Sequence, residues 1–173
     1  MTGIAALIPN KWPLLVMWGM MLSCAVYCKL SMRLPNLMTY PLMLGGLALG
    51  AIHDAGGHPD GGAGGIGASG ACVILAFLLL LPWYARGGFG AGGVKLQMGF
   101  AACVGAFYGL RPGILIVLLA TLLSAAMMAV VFIPKAYELR AREPKVSYVM
   151  PVGFIMSFGA IGSVLLLDFL VYW

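Results

Sequence analysis

The sequence predicts an all-α polytopic membrane protein, a bundle of about six transmembrane helices. Two observations lead to this prediction. Of the 173 residues, 62% are hydrophobic and only 9% are charged, and the mean hydropathy is +1.03. Apolar runs also recur along the chain, most of them near the length of about 17 to 25 residues that a helix needs to cross a bilayer. A soluble domain of this size needs far more charged surface, so we expect residues 1–173 to form a single transmembrane domain.

Six apolar runs are the predicted helices, and turn-forming residues separate them. Pro35 prevents the first helix from continuing, because proline lacks the backbone N–H that a helix interior uses. Asn36 is a favourable N-cap for the second helix. The glycine-rich residues 53–70 are typical of a flexible tether. The predicted helices are Pro13–Tyr27, Leu37–Ile52, Gly67–Tyr84, Val94–Leu110, Pro112–Ile133 and Val149–Trp173.

Small residues inside these runs indicate where helices meet. In lipid, a residue without a bulky side chain lets two helix backbones approach closely. We therefore expect the glycines within the helices to lie at helix–helix contacts. They are Gly45, Gly46, Gly50, Gly99, Gly105 and Gly109.

The cysteines give no indication of a metal centre. Cys24, Cys28, Cys72 and Cys103 lie in or beside apolar runs, and no two of them form a Cys-x-x-Cys pair. Cys24 and Cys28 share a helical face, but two thiols without a further ligand make a poor metal site. We expect all four to be small buried hydrophobes, and we expect no metal and no cofactor.

The basic residues predict the orientation of the chain in the membrane. Ten Lys and Arg stand against five Asp and Glu, but they are scattered between apolar runs, which argues against a nucleic-acid partner. Only Lys11 and Arg111 fall on one side of the predicted membrane. The positive-inside rule then predicts both termini outside, with the first, third and fifth connectors in the cytoplasm. Those connectors and their flanks carry Lys29, Arg33, Arg86, Lys95, Lys135, Arg140, Arg142 and Lys145.

Three stretches differ from ordinary membrane sequence. "CKLSMRLPNLMTYPLMLGGL" covers Cys28–Leu47, "GGFGAGGVKLQMG" covers Gly87–Gly99, and "VMPVGFIMSFG" covers Val149–Gly159. In order and spacing they resemble the type IV prepilin peptidases, membrane aspartyl proteases that cut leader peptides from pilin precursors. That family carries an aspartate seven residues before the proline of Ile-Pro-Asn, and a second one in Gly-x-Gly-Asp-x-Lys-Leu.

The resemblance covers nearly the whole chain and implies a site at the cytoplasmic side of a bacterial or archaeal cytoplasmic membrane. Without a cysteine-rich insertion, the chain is most similar to the minimal family members, and the resemblance implies neither a zinc module nor methyltransferase activity. The family's motif and substrate-groove positions are matched by Pro35, Asn36, Gly90, Gly92, Lys95, Pro151 and Gly153. Lys95 has two open roles: an anchor at the end of the fourth helix, or a contact with substrate or a neighbouring loop.

Both catalytic aspartates of the family are absent. Cys28 stands seven residues before Pro35, and Gly93 follows Gly92. An aspartyl protease needs two carboxylates that share one proton, so that one activates water and the other protonates the leaving amide. Neither a thiol nor a glycine does this. The predicted positions of the remaining acids do not favour a catalytic role for any of them. These acids are Asp54, Asp60, Glu138, Glu143 and Asp168.

The sequence therefore favours a pseudoenzyme or an inactivated variant that retains binding of a pilin or pseudopilin precursor. One alternative is an active leader peptidase that uses unrecognised groups, such as a Cys28 nucleophile, although His53 and His58 are predicted at the opposite membrane face. A remote alternative is a small transporter, which the near absence of charges inside the helices disfavours. The oligomeric state stays open.

Overall fold

The computed structural model describes residues 12–31, 34, 36–55, 64–86, 90–134, 137–138 and 152–172. Within these ranges every regular element is helical, which confirms the predicted all-α bundle. The helices are α1 (Trp12–Ser31), α2 (Asn36–Ala55), α3 (Ile66–Ala85), α4 (Ala91–Tyr108), α5 (Leu110–Met127), which continues as a π-helical turn (Met128–Phe132), and α6 (Val152–Tyr172).

Helix α4 lies at the centre of the bundle, because it contacts all five of the other helices. Twelve of its 18 residues are buried, and many of these are glycine or alanine. Small residues on several faces let neighbouring helices approach the α4 backbone from different sides. The central position of α4 matters for the site, because this helix carries the second of the three motifs.

Most of the interior glycines lie at helix contacts, as predicted. A Cβ atom at Gly46 would lie 2.6 Å from the backbone nitrogen of Cys103, and one at Gly105 would lie 2.7 Å from the carbonyl oxygen of Ala68. Gly50 and Gly99 are crowded by α3 and α2 in the same way. The prediction was wrong for Gly45, which has no neighbouring atom within 4 Å of such a Cβ. Gly109 is buried, but it lies between α4 and α5, where its φ of 79° serves the turn.

The three motifs meet at one end of the bundle, which we name the motif end. Here the last turn of α1 faces the first turn of α6, because a Cβ at Gly153 would lie 3.1 Å from the Cβ of Cys28. Leu34, in the connector after α1, contacts the same glycine. The first turn of α2 faces the first turns of α4, because Lys95 hydrogen-bonds to Asn36.

The opposite end of the bundle holds the end of α2, the start of α3, the end of α4 and the start of α5. Gly50, near the end of α2, packs on Gly65 just before α3. Gly105, near the end of α4, packs on Ala68 in the first turn of α3, and Gly113 in α5 also lies close to Gly105. Successive helices therefore alternate in direction, as the predicted topology requires.

The glycine-rich connector between α2 and α3 is shorter than predicted. Its residues 56–63 lie outside the described residues. The rest of the predicted tether is ordered, because α3 already begins at Ile66 and the backbone of Gly64 packs against the carbonyl oxygen of Ala106. Close packing against α4 turns the last part of this glycine-rich stretch into a helix-capping segment.

Two of the described helices are long and apolar enough to cross a membrane by length and composition. They are α3 and the stretch Leu110–Val130, with mean hydropathies of 2.2 and 2.5. Shorter apolar stretches cover Leu15–Ser31 and Val152–Leu167. Helix α4 belongs to neither group, and it contains Lys95 and Gln97 among its many glycines. The bundle of six helices is thus established within the described residues, whereas six membrane spans go beyond this finding.

Candidate functional site

The resemblance to prepilin peptidases expects an aspartate at positions 28 and 93, which we call the two substituted positions. Cys28, the first of them, lies in the last turn of α1. The sequence predicted that this helix ends at Tyr27, but it continues to Ser31 and so carries Cys28 into the bundle. The Cys28 side chain is 4% exposed and forms no disulfide. It faces α6, where Gly153 leaves room for it.

Gly93, the second substituted position, lies in the first turn of α4. Its backbone N–H donates to the carbonyl oxygen of Gly90 at 3.0 Å. A Cβ at this position would lie 2.8 Å from Cγ1 of Val152 and 3.4 Å from Sδ of Met156, both in α6. Cys28 and Gly93 therefore abut two consecutive residues of α6, Gly153 and Val152.

Leu34 fills the space between the motif glycines. A Cβ at Gly92 would lie 2.8 Å from the Cβ of Leu34, and one at Gly153 would lie 2.6 Å from its Cδ1. These two motif glycines are thus explained by close packing around one leucine. Gly90 is different, because nothing lies within 4 Å of a Cβ there. Pro35 and Pro151, the other two motif positions, lie outside the described residues.

Lys95 joins two of the motifs directly. Its ammonium group donates to Oδ1 of Asn36 at 2.9 Å and to the hydroxyl of Tyr40 at 3.1 Å. The same group lies 4.8 Å from the centre of the Tyr40 ring, within the range of a cation–π interaction. Both partners of Lys95 lie in helix α2, a contact that neither of the two predicted roles describes.

Asn36 consequently has a different role from the predicted one. It belongs to α2, and its side-chain oxygen faces Lys95 across the bundle. Asn36 is the first residue of α2 rather than the residue before it, and its side-chain oxygen accepts a hydrogen bond from a charged donor, which is stronger than one from a neutral N–H. Tyr40, which sequence reasoning missed, lies one helical turn after Asn36, and the i, i+4 spacing on one face was the available signal.

The surroundings of Gly93 are apolar. The atoms nearest to a Cβ at Gly93 belong to Val152 and Met156. Of the acids with described side chains, Asp54 accepts a hydrogen bond from the backbone N–H of Ile66 at 2.8 Å, at the opposite end of the bundle, and Glu138 is exposed. All four cysteines are free and buried, as predicted. Over the described ranges, no group of three or more His, Cys, Asp or Glu is arranged to hold a metal ion.

The motif end thus combines a buried thiol, a glycine and a lysine whose donors are engaged by two neutral acceptors. Such a set offers no pair of proton-sharing acids for the chemistry of an aspartyl protease. Comparison of the chain with protein-family models, with curated proteins and with solved structures found no match in any of the three.

Proposed function

We propose that the chain is a polytopic membrane protein of the prepilin-peptidase type that does not hydrolyse peptide bonds but still binds the apolar helix of a pilin or pseudopilin precursor. The observation that carries this proposal is the meeting of the motifs. Lys95 of the second motif donates to Asn36 of the first, and Cys28 and Gly93 abut adjacent residues at the start of α6. Three segments far apart in the sequence converge where a shared site requires it.

The membrane assignment is supported by the surface of the bundle. Large apolar side chains point outward along the helices, including Ile74 at 61% exposure and Leu122 at 66%. Exposed apolar residues in this number need an apolar solvent. We propose that all six helices cross a cytoplasmic membrane. The motif end, which holds Lys29 and Lys95, faces the cytoplasm under the positive-inside rule.

The loss of catalysis follows from the two substitutions. Hydrolysis by this mechanism needs an acid and its conjugate base a few ångströms apart. At position 93 the side chain is missing, and Val152 occupies the space into which a carboxylate would project. At position 28 a thiol takes the place of the other acid. The Cys28 thiol interacts with the Cys24 thiol one turn earlier in α1, and two thiols do not supply the proton-sharing carboxylates of an aspartyl protease.

Retained binding is supported by apolar residues beside the convergent motifs. Leu30, in the last turn of α1, is 81% exposed, and Leu37, in the first turn of α2, is 84% exposed. Both belong to the motif end. An apolar helix that enters the bilayer beside these turns would bury part of this surface. The favourable free energy of this burial scales with the apolar area that is covered.

The test uses the purified protein in detergent with a glycine-ended leader fused to a pilin helix. We expect no cleavage by the native sequence. Cys28→Asp with Gly93→Asp restores the missing acids, and Val152→Ala removes the methyl group that would meet the new carboxylate. The matched control is the same triple change with Asn in place of Asp. Cleavage by the native sequence would contradict the proposed inactivity.

Binding is measured separately, as the affinity of the labelled leader–pilin fusion for the native protein in detergent. Leu37→Asn should weaken binding, whereas Ile52→Asn should not, because Ile52 is exposed on the same helix at the opposite end. Equal effects of the two substitutions, or no saturable binding, would contradict retained recognition at the motif end.

A further inference from the structure

The buried face of α1 consists almost entirely of sulfur-containing side chains. Among the side chains that the structure describes in this helix, five are buried, with exposures of 0% to 4%, and four of the five carry sulfur. Their spacing of i, i+4, i+7 and i+11 places the four in a single stripe along the helix. The buried residues are Met17, Met21, Cys24, Ala25 and Cys28.

Hydrophobicity alone does not explain why sulfur is on the inside of α1. The aliphatic side chains of the same helix are on its outside, with exposures between 47% and 81%. They are Leu15, Val16, Leu22, Val26 and Leu30. Leucine and methionine replace each other in protein cores at little cost, so apolar character would be served equally well by leucine at the buried positions. The separation of sulfur from aliphatic side chains therefore points to a use of the sulfur atoms themselves.

The other two cysteines lack this arrangement. Cys72 in α3 and Cys103 in α4 are each the one sulfur-containing residue among the buried residues that the structure describes in their own helix. The thiol of Cys103 is also engaged, because it donates to the carbonyl oxygen of Leu42 at 3.6 Å. Both fit the role of small buried hydrophobes, and they provide an internal comparison for the stripe on α1.

Cys24 and Cys28 lie one helical turn apart on the stripe. Residues at this spacing have Cβ atoms about 5 to 6 Å apart, and the two thiols interact with each other. One metal ion between the two sulfur atoms can therefore contact both. Met21 lies on the same stripe, three residues before Cys24, and supplies the further ligand that the two cysteines lack when they are considered alone.

The ligand set defines the metal. Thiolate and thioether sulfur atoms are soft ligands that select Cu(I), whereas structural zinc sites use a closed set of about four nitrogen or sulfur ligands. A thiol that binds a metal ion loses its proton, and here the protons leave to water at the motif end, which Cys28 adjoins. Two thiolates and one Cu(I) ion carry a single negative charge, and Lys29, the next residue of α1, places a positive charge at the same end of the helix.

We propose that Cys24, Cys28 and Met21 bind one Cu(I) ion, with the two cysteines as thiolates and the methionine as a thioether ligand. This site goes beyond the proposed recognition of a pilin helix and stands independently of it. It gives the cysteine at the first substituted position a role for which the expected aspartate is unsuited, because carboxylates suit harder cations.

The test measures Cu(I) binding to the full chain in detergent, in competition with the chromogenic chelator bicinchoninate and with ascorbate as the reductant. We expect the native chain to retain about one Cu(I) ion against the chelator. Cys24→Ser and Cys28→Ser should each abolish this retention, and Met21→Leu should weaken it. The apparent affinity should rise by up to about a hundredfold per pH unit near neutral pH, because two thiol protons are released for each ion bound.

Controls separate this site from other thiols. Cys72→Ala combined with Cys103→Ala removes the two remaining cysteines and should leave the affinity unchanged. Cys24→Ala and Cys28→Ala provide the same test if a buried serine disturbs the fold, which circular dichroism reports. X-ray absorption at the copper edge should show sulfur neighbours. Failure of the native chain to retain Cu(I), retention without Cys24 and Cys28, loss of retention in the folded control, or nitrogen and oxygen neighbours alone would each overturn the proposal.

Discussion

Replacing Gly46 with alanine should force α2 away from α4. The added Cβ would lie 2.6 Å from the backbone nitrogen of Cys103 and 2.7 Å from both the carbonyl carbon and the Cβ of Ala102. Ordinary carbon contacts lie at about 3.5 to 4.0 Å, and backbone atoms cannot rotate aside as a side chain does. The helices must therefore separate by roughly an ångström along a contact that helps to position the centre of the bundle.

The neighbouring glycine provides a matched control. Gly45→Ala is the same substitution in the same helix, and its Cβ would meet nothing within 4 Å. Both variants gain up to about 1 kcal/mol of helix propensity. Only Gly46→Ala is also destabilised by overpacking, typically by about 1 to 3 kcal/mol. The difference between the two variants isolates this packing term, so Gly46→Ala should be less stable than Gly45→Ala by about 1 to 3 kcal/mol.

The assay is reversible unfolding in mixed detergent micelles, followed by far-ultraviolet circular dichroism as the denaturing detergent is titrated. Gly45→Ala should match or exceed the native stability. If the two variants unfold at the same detergent fraction, the close approach of α2 and α4 at Gly46 is refuted, and with it the way in which α4 is held at the centre.

Two further substitutions are measured in the same titration. Lys95→Met should destabilise the bundle by about 1 to 2 kcal/mol, because it removes the hydrogen bonds to Asn36 and Tyr40; a stability equal to that of the native chain would contradict the joining of the two motifs. Gly109→Ala should destabilise it by about 1 to 3 kcal/mol, because a φ of 79° with a ψ of −174° is nearly restricted to glycine. Gly67→Ala, where nothing lies within 4 Å of the new Cβ, is its control.

The number and order of the helices could be predicted from the sequence, because each apolar run is long and the connectors are rich in glycine, proline or charge. The helix ends were less accurate. Helix α1 continues four residues beyond Tyr27, since no proline interrupts it before Pro35. The predicted end followed the apolar run, but a helix also continues through polar residues such as Lys29 in its last turn.

The details of the site depended on tertiary neighbours that local sequence does not encode. Gly45 and Gly46 are adjacent and identical, yet only one of them faces α4. Asn36 has the sequence context of an N-cap, and its actual partner, Lys95, is 59 residues away. The resemblance to prepilin peptidases indicated which segments should meet.

The central claim is that positions 28 and 93 lie against adjacent residues at the start of α6, and cysteine crosslinking tests it most directly. The Cβ atoms of a disulfide are typically about 3.5 to 4.5 Å apart. A Cβ at Gly93 would lie 3.7 Å from that of Val152, within this range. One at Gly153 would lie 3.1 Å from that of Cys28, so this pair must separate by a few tenths of an ångström to enter the range.

The measurement is mild oxidation followed by mass spectrometry of linked peptides, with the other native cysteines replaced by alanine. We predict a disulfide in Gly93→Cys combined with Val152→Cys, and another between Cys28 and Gly153→Cys. Cys28 with Gly162→Cys, more than two helical turns farther along α6, should stay unlinked. The account is contradicted if neither predicted disulfide forms, or if Gly162→Cys links to Cys28 as readily as Gly153→Cys does.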